Sequence, residues 1–95
     1  MEYLPVSWRI KGQTVLLVGG GEIALRKARL LDRAGARLRL VAPEVEPDLA
    51  ALVEQGGGEI QRQVFAADQL DGVLLALAAT DDEAVNRAVS EAAQA

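Results

Sequence analysis

An apolar run that leads straight into three glycines constrains the fold of this chain more than any other part of its sequence. Residues 15–18 are apolar at every position, Gly19–Gly21 follow, and apolar residues recur at helical spacing from Glu22 onward. An uninterrupted apolar run is typical of a parallel strand that is covered on both faces. A strand, a glycine turn and a helix in immediate succession therefore predict the first unit of an α/β fold.

The remainder of the chain continues this alternation of strands and helices. Strands are predicted over residues 14–18, 37–42, 59–65 and 73–79. Helices are predicted to open at Glu22, at Pro47 and at residues 81–83, with a turn or a single helical turn over residues 68–72. This order predicts a parallel sheet with strand order 3-2-1-4 in a single domain over residues 1–95. A further strand would normally follow the last helix, so the fold is expected to be truncated before a fifth strand.

Composition excludes several classes of function. The 95 residues carry a formal net charge of −4, and only Tyr3, Trp8 and Phe65 are aromatic, so nucleic acid is not an expected partner. Because the chain contains no cysteine and no histidine, no metal site and no histidine-dependent nucleophile is predicted. No apolar run approaches the roughly 18 residues that a membrane span needs. No membrane partner is therefore expected, and the expected location is cytoplasmic.

The glycines form part of a dinucleotide-binding fingerprint. Gly19, Gly21 and Ala24 match the pattern G-x-G-x-x-G/A at the point where the first strand passes into the first helix. In this pattern the first glycine permits a sharp turn, and the second lets the backbone approach a pyrophosphate. The small third residue lets helix and strand pack closely, and amides at the helix start face the phosphate charge. The pattern predicts a nucleotide-binding, Rossmann-like domain; the alternative is a tight turn without a ligand.

The segment after the second strand is the predicted adenosine side. Sites of this kind usually place an acid about 20 residues beyond the glycines, where it binds the ribose 2′-hydroxyl. Here the strand ends at Ala42, and Pro43 and Glu44 follow. Glu44 is therefore a candidate ribose acceptor beside Ala42 and Pro43, and the alternative is a solvated loop residue. No Lys or Arg follows in this loop to pair with a 2′-phosphate, which favours NAD over NADP.

Thr80 and Asp81 follow the fourth strand, which is predicted to lie beside the first strand where the strand order reverses. Ligands of open α/β sheets bind in the crevice at this point. Both residues are therefore candidates for contact with the nicotinamide half of a dinucleotide. The alternative is a helix cap, since Thr and Asp are favoured at that position, and both roles are compatible.

Five groups of residues, spread in order over nearly the whole chain, carry a family resemblance. They are Tyr3–Pro5, Val18–Ala24 with Arg26–Ala28, Ala34–Ala36, Val41–Glu44 and Ala78–Asp82. Three glycines followed by Glu-Ile-Ala and then Arg-Lys are far more specific than the fingerprint alone. In these residues the chain resembles the N-terminal domain of siroheme synthase, which also occurs as a stand-alone precorrin-2 dehydrogenase/sirohydrochlorin ferrochelatase.

The resemblance implies a reaction, a cofactor and a site. The family oxidises precorrin-2 to sirohydrochlorin with NAD⁺, and many members then insert Fe²⁺ to form siroheme. The resemblance places the pyrophosphate and ribose at residues 21–23, the adenosine side at residues 43–44 and the nicotinamide near residues 80–81. The cofactor-binding residues expected from the fingerprint and the resemblance together are Gly19, Gly20, Gly21, Glu22, Ile23, Ala42, Pro43, Glu44, Thr80 and Asp81.

The resemblance also implies what the complete protein adds. The family's catalytic aspartate and dimerisation region correspond to segments beyond residue 95, so no catalytic residue is predicted in this chain. Alone, the chain is expected to keep cofactor affinity and not turnover. The complete protein is expected to bind the tetrapyrrole precorrin-2 and to form a homo-oligomer, most simply a dimer. Two other interpretations stay open: a nucleotide-sensing regulatory module without catalytic activity, and an assembly unit whose open sheet edge pairs between chains.

Overall fold

In the computed structural model, which describes residues 10–94, four parallel strands form one sheet in the order β3-β2-β1-β4. The strands are β1 (Thr14–Val18), β2 (Arg37–Val41), β3 (Glu59–Gln61) and β4 (Leu75–Ala78). All three strand pairs are parallel, and Leu17 of β1 lies between Leu40 of β2 and Leu77 of β4. The predicted Rossmann-like order is confirmed. The matches at Tyr3–Pro5 and the aromatic Trp8 lie outside the described residues.

Helices cover both faces of the sheet. They are α1 (Glu22–Arg33), α2 (Pro47–Gln55) and α3 (Glu83–Gln94), with a 3₁₀ turn at Ala67–Leu70. Side chains of α1 and α2 pack with one set of strand residues, and α3 and the 3₁₀ turn pack with the other set. The chain thus forms two cores that share one sheet.

β1 is the strand around which both cores form. Val15 and Leu17 are fully buried in the core beneath α1 and α2. Leu16 and Val18 alternate with them and are buried in the core beneath α3. Because β1 also has a paired strand on either side, every side chain of its apolar run is removed from water, which explains why the run does not alternate.

Two predicted strands are shorter in the structure. The segment expected as a strand to Phe65 leaves the sheet after Gln61, where the N–H of Gln63 donates to the carbonyl of Gln61 at 2.9 Å. The fourth strand runs only from Leu75 to Ala78 and is half-buried rather than buried. It is half-buried because it pairs with β1 alone and forms the sheet edge within the described residues.

Two apolar side chains of α1 are largely exposed to solvent. In α1, Ala24, Ala28 and Leu31 are buried, whereas Ile23 and Leu30 are 40% and 43% exposed. α1 therefore buries a narrow stripe against the sheet and leaves these two apolar side chains largely in solvent.

The last helix begins at Glu83, the third of the three acidic residues at which it is predicted to open. Asp82 precedes the helix, and its Oδ1 accepts from the N–H groups of Ala84 at 2.9 Å and Val85 at 3.3 Å. Helical spacing predicts one packed side with Val85, Ala88, Val89 and Ala92. Val89 is buried and Val85 half-buried, but Ala88 is exposed and does not belong to the packed side. Asp82 is thus the helix cap.

Candidate functional site

Gly19 makes the turn that ends β1. Its φ is +145°, a conformation that side chains with a Cβ rarely adopt. A Cβ at this position would also overlap the backbone carbonyl of Ala79 and lie 3.3 Å from the Cβ of Ala24. The close approach of Gly19 to Ala24 is the helix–strand packing that the fingerprint predicts.

Gly21 opens α1 and leaves its first turn accessible. It is the residue before the helix, and no side chain of residues 10–94 accepts a hydrogen bond from the amides of the first turn. A Cβ built on Gly21 would have no atom of the described residues within 4 Å apart from its chain neighbours, so there is open space beside the backbone. Unpaired amides at the positive end of a helix dipole, with room for a bulky group, fit a pyrophosphate.

Two adjoining cavities flank the glycine turn at the carboxyl ends of the strands. The larger has a volume of about 640 Å³ and the smaller about 300 Å³, and Gly20, Gly21 and Thr80 line both. Volumes of roughly 300–1,000 Å³ are typical of ligand sites. The smaller cavity lies at the carboxyl ends of β1 and β4, where the strand order reverses and ligands of such sheets bind. The larger cavity extends from there to the end of β2.

Every sequence-predicted site residue lines one of these cavities. The larger cavity is bordered by the predicted adenosine side, Ala42, Pro43 and Glu44, together with Gly19. The smaller is bordered by Glu22, Ile23 and Asp81. Segments that are far apart in the sequence therefore meet around the glycine turn.

Thr80 is held by the turn between β4 and α3. Its hydroxyl donates to Oδ1 of Asn86 at 2.7 Å and accepts from the N–H of Asp82 at 3.1 Å. Nδ2 of Asn86 donates back to the carbonyl of Thr80 at 3.0 Å. These hydrogen bonds hold Thr80 in place at the edge of the smaller cavity. Asp81, which is exposed, also borders that cavity.

The sequence reasoning missed an apolar wall of the larger cavity. Val64, Phe65 and Val85 line it, and Val64 is 71% exposed. Residues 62–65, predicted as the end of a strand, form a loop instead, and this loop carries Val64 and Phe65 to the carboxyl edge of the sheet. The exposed polar pair Arg62–Gln63, which interrupts the apolar pattern, was the available signal.

A buried glutamine shapes the loop that carries this wall. Gln69 is only 4% exposed, and its Oε1 accepts from the N–H of Ala66 at 2.8 Å. Its Nε2 donates to the carbonyl of Val64 at 3.3 Å. Arg39 donates to the carbonyls of Gln69 and Asp71, both at 2.7 Å, and forms an ion pair with Glu59. These bonds tie the wall to β2 and β3.

The charged groups around the cavities are acidic. Glu44, Glu46 and Asp82 line the larger cavity, and Glu22 and Asp81 line the smaller. Among the residues that line either cavity, all of them in the described part of the chain, none is Lys or Arg. Within these linings an anionic ligand meets backbone amides and no cationic side chain.

Comparison with known proteins identifies the family. A family model described as "Putative NAD(P)-binding" matches residues 6–95. The chain belongs to this NAD(P)-binding family. The fingerprint and the open start of α1 are thus features of a nucleotide-binding family.

No helix within residues 10–94 is long and apolar enough to cross a membrane.

Curated relatives and a solved structure narrow the comparison. The siroheme synthases of Stutzerimonas stutzeri and Pseudomonas entomophila are 59% and 56% identical to the chain over all 95 residues. The chain spans about a fifth (20%) of the length of these relatives. A solved precorrin-2 dehydrogenase, SirC, is 32% identical with a TM-score of 0.79, and the match covers 95% of this chain and 44% of that one.

Proposed function

We propose that the chain is the NAD-binding part of a precorrin-2 dehydrogenase of siroheme biosynthesis. The observation that carries the proposal is the accessible start of α1 at Gly21, which lies between the two cavities of the crevice. Support comes from siroheme synthases that are 53–59% identical to the chain and from the likeness to a precorrin-2 dehydrogenase structure.

Each part of the crevice takes one part of the cofactor in this proposal. Amides of residues 21–23 bind the pyrophosphate and the adjoining ribose. Residues 42–44 border the adenosine, and Glu44 accepts from its ribose 2′-hydroxyl. Thr80 and Asp81 lie beside the nicotinamide, while Gly19 and Gly20 give the turn its shape. When bound, NAD⁺ supplies the hydride acceptor, and the residues of this chain orient it.

The reaction proposed for the complete protein is precorrin-2 plus NAD⁺ giving sirohydrochlorin, NADH and a proton. Insertion of Fe²⁺ would follow in the same protein, with iron as a substrate. No base is assigned among the residues of this chain. We also propose that the complete protein is a homodimer and works in the cytoplasm, in keeping with the family resemblance.

A graft tests this function. The chain replaces the matching segment of the Stutzerimonas stutzeri siroheme synthase, and NADH formation from precorrin-2 is measured. We expect the graft to turn over, and the same graft carrying Gly21→Val to raise the KM for NAD⁺ strongly, because the new side chain fills the space beside the amides. A folded graft that binds NAD⁺ and forms no NADH contradicts the proposal.

A nucleotide-sensing module is the second candidate, and the bonding of Thr80 favours it. The hydroxyl of Thr80 is already paired on both sides, so the smaller cavity offers a nicotinamide few side-chain hydrogen bonds. Calorimetric titration of the chain with NAD⁺ and with ADP separates the two. A dehydrogenase site gains affinity from the nicotinamide half, whereas equal affinities indicate a sensor of the adenosine half.

A further inference from the structure

The middle glycine of the turn is restricted by a contact and not by its backbone angle. Gly20 is absent from the glycines with positive φ, so its conformation is open to other residues. A Cβ at Gly20 would nevertheless overlap the backbone carbonyl of Glu44 and lie 3.0 Å from the Cβ of Ala42. Backbone cannot move aside as a flexible side chain does, so only glycine lets this loop come so near.

Hydrogen bonds fix the same contact from both ends. The N–H of Glu46 donates to the carbonyl of Gly20 at 2.9 Å. The N–H of Gly19 donates to the carbonyl of Val41, also at 2.9 Å. These two backbone hydrogen bonds hold the loop over residues 42–46 against the glycine turn. We call the contact between this loop and Gly20 the seat.

This seat joins the two halves of the crevice. The turn carries Gly21, whose surroundings accept a pyrophosphate, and the loop carries Glu44. We infer that Gly20 is a positioning residue: because it has no side chain, the loop lies close enough to the glycine turn for Glu44 to reach the ribose 2′-hydroxyl. For the identity of the ligand, this inference rests on the proposed function. Gly20 itself touches the loop and acts through Glu44.

Gly20 and Gly21 give a matched pair of variants. Gly20→Ala pushes against the Glu44 carbonyl, whereas Gly21→Ala meets no protein atom within 4 Å. Amide hydrogen exchange of the full chain without cofactor reads the seat directly. In Gly20→Ala the Glu46 amide should exchange about fivefold faster, the factor that corresponds to one typical hydrogen bond, and in Gly21→Ala it should not change. Unchanged protection in Gly20→Ala overturns the inference.

Binding of NAD⁺ and of its adenosine 2′-deoxy analogue reads the function of the seat. The unaltered chain should prefer NAD⁺ by about tenfold, since a hydrogen bond to a charged group is worth at least this much. Gly20→Ala should lose this preference, and Gly21→Ala should bind both ligands more weakly and keep it. A preference that survives in Gly20→Ala overturns the inference. If the unaltered chain binds neither ligand, the proposed function fails, and the exchange result still decides the role of the seat.

A second pair of variants covers the case in which Gly20→Ala does not fold. Glu46 has φ −63° and ψ 145°, which proline adopts readily, so Glu46→Pro removes the donating N–H with little change of backbone. Glu46→Ala removes the same carboxylate and keeps the N–H. Glu46→Pro should lose the preference for the 2′-hydroxyl and Glu46→Ala should keep it. An equal preference for the 2′-hydroxyl in the two variants would contradict the inference.

Discussion

Gly19, Gly20 and Gly21 are chemically identical and have three different structural reasons to be glycine. Gly19 adopts a positive φ, Gly20 meets a neighbouring loop, and Gly21 has open space beside it. The fingerprint predicts the first and third of these reasons, because both follow from local spacing. It does not predict why Gly20 is a glycine, because the carbonyl that leaves no room for a side chain there comes from Glu44 in another segment.

Gly19→Ala should destabilise the chain severely. Backbone strain at a positive φ costs on the order of 1–3 kcal/mol, and overlap with the Ala79 carbonyl adds to this. Urea unfolding gives the change in the free energy of unfolding.

Gly12→Ala is the matched control for this prediction. Gly12 also has a positive φ, +79°, but a Cβ there has no atom of the described residues within 4 Å. It should cost only the roughly 1–2 kcal/mol of the left-handed conformation. Equal destabilisation by the two variants would mean that the approach of Ala79 to the turn is unimportant.

The helices and strands were predictable to the extent that their signals are local. The apolar run of β1 and the proline that opens α2 both lie within the segments that they define. The end of β3 was not predictable in this way. The loop that follows Gln61 is held by the side chain of Arg39, which donates to the carbonyls of Gln69 and Asp71. Arg39 lies 30 residues before Gln69, so no local pattern shows this contact.

Gln69→Leu should loosen the apolar wall of the larger cavity. The substitution leaves the N–H of Ala66 without its partner in a part-buried hydrogen bond, at a cost of about 0.5–1.5 kcal/mol. The free energy of unfolding should fall by this amount, and affinity for the adenosine half of NAD⁺ should fall with it.

Gln63→Ala provides the comparison for the Gln69 variant. Gln63 is exposed and its side chain donates only to Gln61, so its loss should change stability by no more than about 0.5 kcal/mol. If Gln69→Leu is as stable as Gln63→Ala, the buried amide does not hold the loop.

The whole chain is acidic, and its crevice is acidic as well. The formal net charge is −4, and Glu44 and Glu46 line the side assigned to the adenosine. Composition alone predicts the sign of this charge but not where it lies, because folding brings Asp82 to the same cavity from the far end of the chain. The assembled field opposes an additional phosphate at the ribose.

NADP⁺ should therefore bind at least about tenfold more weakly than NAD⁺ at low salt, since like charges placed together cost a few kcal/mol. Competition titration measures the ratio, and added salt should reduce it by screening. The double variant Glu44→Gln, Glu46→Gln should reduce the difference between the affinities for NAD⁺ and NADP⁺. Equal affinities for the two cofactors in the unaltered chain would contradict this account of the crevice.

The central claim is that backbone amides at the start of α1 bind the pyrophosphate of a dinucleotide. An amide NMR titration of the chain with NAD⁺ tests it most directly. The largest shifts should fall on Gly21, Glu22 and Ile23, with smaller ones at residues 43–44 and 80–81. Shifts confined to other segments, or none at millimolar NAD⁺, would contradict the claim.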